Sequence, residues 1–204
     1  MSGEREGGVD ESKRATLRRF AAIGAATPFM RFAGTSESEA PDAIAGYLAA
    51  TPGAHFSKLR DDLQLGTGET QHHLQRLERE GAVESRKDGD YRRFFPAGRF
   101  SDLEQVALGY LRRETPRGMV VALLSEPALG PSDLAEELGV SRPTVSKYAA
   151  ELEEAGLLSR GGGYTVEQPE TLLLLLVRYA DSFDADAAAL AREADDLVRY
   201  DNSG

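Results

Sequence analysis

The chain of 204 residues contains no cysteine and only three histidines. Without thiols there are no disulfides, thiolate zinc sites, iron–sulfur clusters or cysteine nucleophiles, and three imidazoles leave little from which to build a metal centre. Lysine is scarce as well: Lys13, Lys58, Lys87 and Lys147 are the only four, and arginine supplies the other bases. No glycine-rich phosphate loop, nucleophile elbow or paired-histidine metal motif occurs, so an enzyme is the weakest functional class and no cofactor is expected. The run LLLLLV at 172–177 is far too short to span a bilayer, and no membrane partner is expected.

What is present is enough for one or two folded domains. The hydrophobic content of 41% over 204 residues supports real cores and excludes a wholly disordered chain. The net charge of -10, from 34 acids and 24 bases, disfavours nonspecific association with nucleic acid when taken globally. Its distribution along the chain points the other way. Residues 1–54 carry six bases and seven acids, 55–100 carry nine and eight, and 101–204 carry nine and nineteen, so the excess lies in the second half. The stretch from Ala82 to Phe100 sets Arg86, Lys87, Arg92, Arg93 and Arg99 against Glu84, Asp88 and Asp90, a locally basic segment on an acidic protein.

Set against itself, the sequence aligns without gaps at an offset of 75 residues. Ser57 falls on Ser132, Leu59 on Leu134, Leu63 on Leu138, Leu77 on Leu152, Glu78 on Glu153 and Gly81 on Gly156. Each copy reads as a short helix with a serine N-cap (Ser57 or Ser132) and apolar residues four apart. A brief turn follows, LGTG or GVS, and then a longer helix with the buried stripe Thr70, Leu74, Leu77 or Val145, Ala149, Leu152. Gly81 and Gly156 end those helices, and AVESRK-DGD-YRRFFP and LLSR-GGG-YTV form hairpins around glycine turns. Helix, turn, helix and hairpin make a winged helix-turn-helix, here twice.

The second copy, GVSRPTVSKYAAELEEAGLL, resembles the helix-turn-helix of winged-helix transcription regulators of the MarR, ArsR and IclR type. The first, LQLGTGETQHHLQRLEREGAVESRKDGDYRRFFP, is similar to archaeal, especially haloarchaeal, members of that superfamily, and the acidic, lysine-poor composition resembles proteins of salt-accumulating haloarchaea. The resemblance covers 55–96 and 117–167, about half the chain. It implies a mainly α fold with small β-hairpin wings, binding to double-stranded DNA, a cytoplasmic location and a homodimer. An effector pocket in such proteins is lined by ordinary apolar residues, so any small-molecule effector is not readable here.

The domain reading that follows runs 1–41 as a flexible tail with an amphipathic helix at 12–33, 42–100 as the first winged unit and 101–115 as a connecting helix. The second winged unit spans 116–168, and a helical region at 169–200 is the dimerisation candidate. The segment SKRATLRRFAAIGAATPFMRFA places paired arginines before a small apolar stretch, as a twin-arginine export signal does. Arg31 interrupts the stretch early and no clear cleavage site follows, so an amphipathic or poorly ordered helix is the better reading. In the C-terminal region the apolar positions 172, 176, 179 and 183, then 187, 190, 194 and 197, suit a dimer seam and equally suit packing on their own domain.

In this fold the N-terminal, outward-facing residues of the second helix approach base edges in the major groove while the wing follows the backbone. The candidates off the buried stripe are Thr67, Gly68, Gln71, His72, Gln75 and Arg79 in the first copy, and Ser141, Arg142, Thr144, Ser146 and Lys147 in the second. Glutamine suits adenine and arginine suits guanine by bidentate geometry. Arg86, Lys87, Arg92 and Arg93 flank the Asp-Gly turn and are the expected phosphate contacts, whereas the second wing offers only Arg160 beside three glycines. His72 and His73 point about 100° apart on a helix and lack partners for a tetrahedral metal site. Asp61/Asp62 and Glu136/Glu137 recur at matching positions and read as solvated helix faces, and His55 reads as structural. Two functional classes follow: a DNA-binding transcription regulator, and a tandem winged-helix protein-interaction module that does not read bases.

Overall fold

The computed structural model describes residues 6–25 and 39–200, with side chains described at 13–23 and 39–192. The expected tail at 1–5, the expected helical residues 26–33, most of the linker at 34–41 and the side chains at 194 and 197 lie outside those residues. The chain forms two compact units that divide between Ser101 and Asp102. Both are mainly helical with a small antiparallel sheet, the fold class expected from the repeat.

The first unit contains α1 (Glu6–Ala25), α2 (Ala40–Ala50), β1 (Ala54–His55), α3 (Phe56–Asp62), α4 (Thr67–Arg79), β2 (Val83–Asp88) and β3 (Tyr91–Pro96). Its sheet has the order β1-β3-β2, with β2 and β3 paired from Val83↔Pro96 to Asp88↔Tyr91. The core gathers Ile44, Tyr47 and Leu48 of α2 with Leu59, Leu63, Leu65, Leu74, Leu77, Val83 and Phe94. Helix α1 starts earlier than the expected residue 12 and is no free tail where it is described. Leu17 is buried in that core and Phe20 meets Tyr47 edge-on at 5.2 Å. Burial of these two side chains, worth roughly 1.5–3 kcal/mol each when complete, holds the helix down.

The second unit contains α5 (Asp102–Leu111), α6 (Glu114–Ser125), α7 (Pro131–Glu137), α8 (Arg142–Glu154), β4 (Leu158–Ser159), β5 (Thr165–Val166), α9 (Pro169–Arg178) and α10 (Ala185–Tyr200). Helix α5, expected as a connector, packs on α6 and α9 and buries Ala107, Leu108 and Leu111. The single C-terminal helical region is broken. A 3-10 turn at Ala180–Ser182 separates α9 from α10, and the break is held by Arg112, just after α5, and Arg117 of α6. Arg112 donates to the Ser182 carbonyl at 2.8 Å and lies 4.3 Å from the Phe183 ring centre. Arg117 donates to Asp184 and to the Leu111 carbonyl. Burial pushes the Asp184 carboxyl up, but the hydrogen bonds from Arg117 and the Ala187 amide outweigh it and leave the group below its usual range. Of the apolar stripe that suited a dimer seam or its own domain, Leu172, Leu176, Tyr179, Ala187 and Leu190 are buried within the chain and Phe183 is half-buried.

The repeat shows in backbone detail. Gly81 and Gly156 both adopt positive φ, at 70° and 71°. Behind them the amides of Ala82 and Leu157 bond back to the carbonyls of Leu77 and Leu152, each at 2.9 Å. Both expected serine N-caps lie two residues too late. His55 caps α3, its Nδ1 accepting the Lys58 amide at 3.2 Å, and Gly130 caps α7, its amide bonded to Asp133 at 2.9 Å. Asp62 is also more than a solvated carboxylate, since it accepts the Tyr47 hydroxyl at 2.7 Å and the Lys58 ammonium at 2.8 Å.

The inter-helix turn departs from the repeat in one residue. Gly139 takes φ of 63° after α7, and at the matching position Gln64 takes φ of 55°. A side chain in the left-handed region costs roughly 1–2 kcal/mol, part of which a glycine returns as unfolded-state entropy. Gln64→Gly is therefore expected to stabilise the first unit by about 0.5–1 kcal/mol in a denaturant titration, and a loss of stability would show that the glutamine side chain is held by more than this geometry.

Candidate nucleic-acid interface

Helix α4 begins at Gly66, whose amide donates to Glu69 Oε2 at 3.3 Å while its carbonyl accepts the Thr70 hydroxyl at 2.9 Å. Thr70, Leu74 and Leu77 face inward and are buried. The helix thereby leaves Thr67, Gly68, Gln71, His72, Gln75 and Arg79 exposed, so all six residues expected in the first copy reach the surface of one helix. Arg79 Nε bonds to the Gln75 carbonyl at 3.2 Å, which holds it along the helix. His73 turns inward. Its Nδ1 is enclosed without a hydrogen-bond partner, and burial, helped by neighbouring His72 and Arg76, holds its pKa below the ordinary histidine value.

Helix α8 is built the same way on different caps. Ser141 accepts the Thr144 amide at 3.3 Å, and the two hydroxyls lie 2.8 Å apart, so both residues are engaged in starting the helix. Val145, Ala149 and Leu152 are buried, while Arg142, Ser146 and Lys147 are exposed and Thr144 is half-buried. Lys147 stands 3.8 Å from Glu151 and 5.3 Å from the Tyr148 ring centre.

The first wing differs from its sequence reading. Arg93, expected at phosphates, is 3% exposed, ion-paired with Asp88 and bonded to the Gly53 carbonyl at 2.9 Å. It belongs to the sheet, on the same face as His55, and is not available to a ligand. Its burial follows from register: β3 pairs with β2 on one side and β1 on the other, and Arg93 stands opposite both Arg86 and His55. Lys87 is exposed and Arg86 is half-buried. Tyr91 is exposed next to the turn and lies 5.0 Å from the His55 ring. Burial and the positive charges of Arg93 and Lys58 keep His55 below the ordinary histidine pKa.

Arg92 has a different role, shared by both units. Its Nη2 donates to Glu78 Oε1 at 2.9 Å and its Nε to Ser85 Oγ at 2.8 Å, while Ser85 donates to the same Glu78 oxygen at 2.6 Å. The wing is tied to the last turn of α4. In the second unit Arg160, just beyond β4, donates to Glu153 Oε2 at 2.6 Å, and this hydrogen bond lowers the Glu153 pKa. Glu78 and Glu153 occupy the same repeat position, although Arg92 comes from the second strand of its hairpin and Arg160 from just after the first strand of the other. Two carboxylates thus anchor two wings, and neither was singled out from sequence beyond its identity across the repeat.

Residues 38–108 match the family model of an N-terminal HTH domain, and residues 110–175 match that of a Crp-like helix-turn-helix domain. The chain carries two helix-turn-helix domains. It is also 29% identical over 115 residues to an uncharacterized HTH-type transcriptional regulator of Methanocaldococcus jannaschii, a match covering 56% of this chain and 29% of that relative. In the first domain α3 and α4 supply the helix pair, and in the second α7 and α8 do so. Among the described residues no helix is long and apolar enough to cross a membrane.

The two wing arginines are separable by magnitude. Exposed pairs such as Arg92–Glu78 contribute less than about 1 kcal/mol, whereas removing one partner of a buried pair costs roughly 3 kcal/mol. Arg93→Gln is expected to lower the unfolding free energy of the first domain by about 2–3 kcal/mol. Glu78→Gln should cost under about 1 kcal/mol while speeding amide exchange across Tyr91–Pro96. Equal losses for the two substitutions, or unchanged exchange in Glu78→Gln, would contradict these assignments.

Proposed function

We propose that this protein is a DNA-binding transcription regulator that uses the exposed N-terminal halves of α4 and α8 as base-reading surfaces. The observation that carries the reading is that both helix-turn-helix domains bury the same three-residue stripe and leave polar, hydrogen-bonding side chains facing out. Thr67, Gly68, Gln71, His72 and Gln75 form the reading face of the first domain, with Gln71 and Gln75 one turn apart and suited to adenine edges. Ser146, Arg142 and Lys147 form that of the second, flanked by Ser141 and Thr144 at the cap. Arg79, Lys87 and Arg86 serve the phosphate backbone around the first domain, and Arg92 holds the wing in place for them. The affiliation with regulators of the MarR, ArsR and IclR type, a cytoplasmic location and a homodimer on pseudo-palindromic half-sites belong to the same proposal.

A second reading is favoured by one feature of the Crp-like domain. The second half of the chain has nineteen acids against nine bases, and Arg160 of its wing is committed to Glu153. Such a domain is a weak phosphate binder and a good docking module for another protein, with the first domain alone reading DNA.

Duplexes selected by the full chain from a random library supply the test. Loss of a bidentate base contact costs about 1–3 kcal/mol, so Gln71→Ala and Gln75→Ala should each weaken binding to the selected duplex on the order of tenfold or more, and weaken a scrambled duplex much less. Enrichment of no sequence by the wild-type chain would overturn the regulator reading. An equal loss from Ser146→Ala and Lys147→Ala would place both domains on DNA, and no effect from them would favour docking by the second.

A further inference from the structure

Helix α1 lies outside both matched regions, yet it docks beside the start of the first reading helix. Lys13 Nζ is 3.5 Å from Glu69 Oε2, and Glu69 is the first-turn carboxylate that also accepts the Gly66 amide. One turn further along α1, Leu17 is buried in the domain core and Phe20 packs on Tyr47, so the position of Lys13 follows from the packing of the helix. Between Glu11 and Glu37 the chain has no acid, and Lys13, Arg14, Arg18 and Arg19 fall within seven residues. Arg14, Arg18 and Arg19 are exposed. The contacts in which three of these bases take part are weak ones. Lys13 and Arg18 reach carboxylates only at 3.5 Å, with the Arg18 side chain 72% exposed, and Arg19 stands 5.8 Å from the Phe20 ring centre. Long exposed pairs of this kind contribute little and are readily exchanged for a phosphate.

Two of the four wing bases that the sequence suggests for phosphates are committed elsewhere, since Arg93 is buried and Arg92 is tied to Glu78, which leaves Lys87 and Arg86. We infer that the basic segment Lys13–Arg19 of α1 is a second phosphate-contact surface of the first domain, engaging the DNA backbone beside the point where α4 enters the groove. The inference rests on the DNA-binding reading above. Its chemistry is that of a docked basic helix: Lys13 offsets the carboxylate of Glu69 next to the DNA, and Arg18 and Arg19 take phosphate oxygens.

The salt dependence of binding isolates this role, since each phosphate contact contributes about 0.9 to the slope of log affinity against log salt, and a contact that only supports the fold contributes none. The probe is a duplex selected by the wild-type chain, titrated with full-length protein over a series of KCl concentrations. Arg18→Gln/Arg19→Gln is expected to reduce the slope by about 1–2, to weaken selected and scrambled duplexes alike, and to leave the sequence preference intact. Arg18→Lys/Arg19→Lys should restore the slope. An unchanged slope in the glutamine variant, or a lysine variant as impaired as the glutamine one, would overturn the inference while leaving the regulator reading standing. Failure of the wild-type chain to bind any duplex would remove both.

Discussion

Everything presented outward on α4 and α8 is presented because three positions on each helix are buried. Thr70, Leu74 and Leu77 in one domain, and Val145, Ala149 and Leu152 in the other, fix the rotation of the helix about its axis. Once that rotation is set, Gln71 and Gln75, or Arg142 and Ser146, have no choice of face. The glycines at 81 and 156 then turn the chain back so that a hairpin follows at once, and Glu78 and Glu153, three residues before those glycines, receive the arginine that anchors it. The second helix of each pair and its wing are therefore one mechanical unit, built twice from the same stripe, glycine and carboxylate.

Much of this was legible in the sequence, and the reasons are local. Periods of three and four place the buried stripe, and a glycine at a helix end announces the left-handed residue that closes it. The outward face of α4 followed from the stripe by subtraction, and all six residues expected on it are exposed. What failed depended on pairing across the fold. Arg93 and Lys87 are equally basic on paper, but only the strand register puts Arg93 against β1, Asp88 and the Gly53 carbonyl. The serine caps failed for a related reason. His55 accepts a first-turn amide through its imidazole, Gly130 instead donates its own amide to Asp133, and Ser57 and Ser132 sit inside the helices that they were expected to begin. The C-terminal stripe was visible as a pattern that suited either a dimer seam or its own domain, and at Leu172, Leu176, Tyr179, Ala187 and Leu190 it is buried within the chain, across a break that Arg112 and Arg117 stabilise.

The charge follows the same division. The excess of carboxylates lies in the second half, but the first domain does not gain a freely basic wing in exchange, because two of its arginines are consumed by Asp88 and Glu78. Binding in the proposed role then leans on base contacts, shape and helix placement more than on counterion release. Such contacts lose less to added salt than phosphate contacts do. In the proposed role an acidic protein needs this economy of cations, and the exposed bases of α1, Arg14, Arg18 and Arg19, add to the exposed Lys87 of the wing.

A regulator of the proposed kind must be brought to defined DNA sequences by its two helix-turn-helix domains. Chromatin immunoprecipitation of the full-length protein from its own cells, followed by sequencing, tests it most directly. The account predicts discrete occupied sites sharing a motif that disappears when Gln71 and Gln75 are replaced by alanine; occupancy without a shared motif, or an unchanged map in that variant, would contradict it.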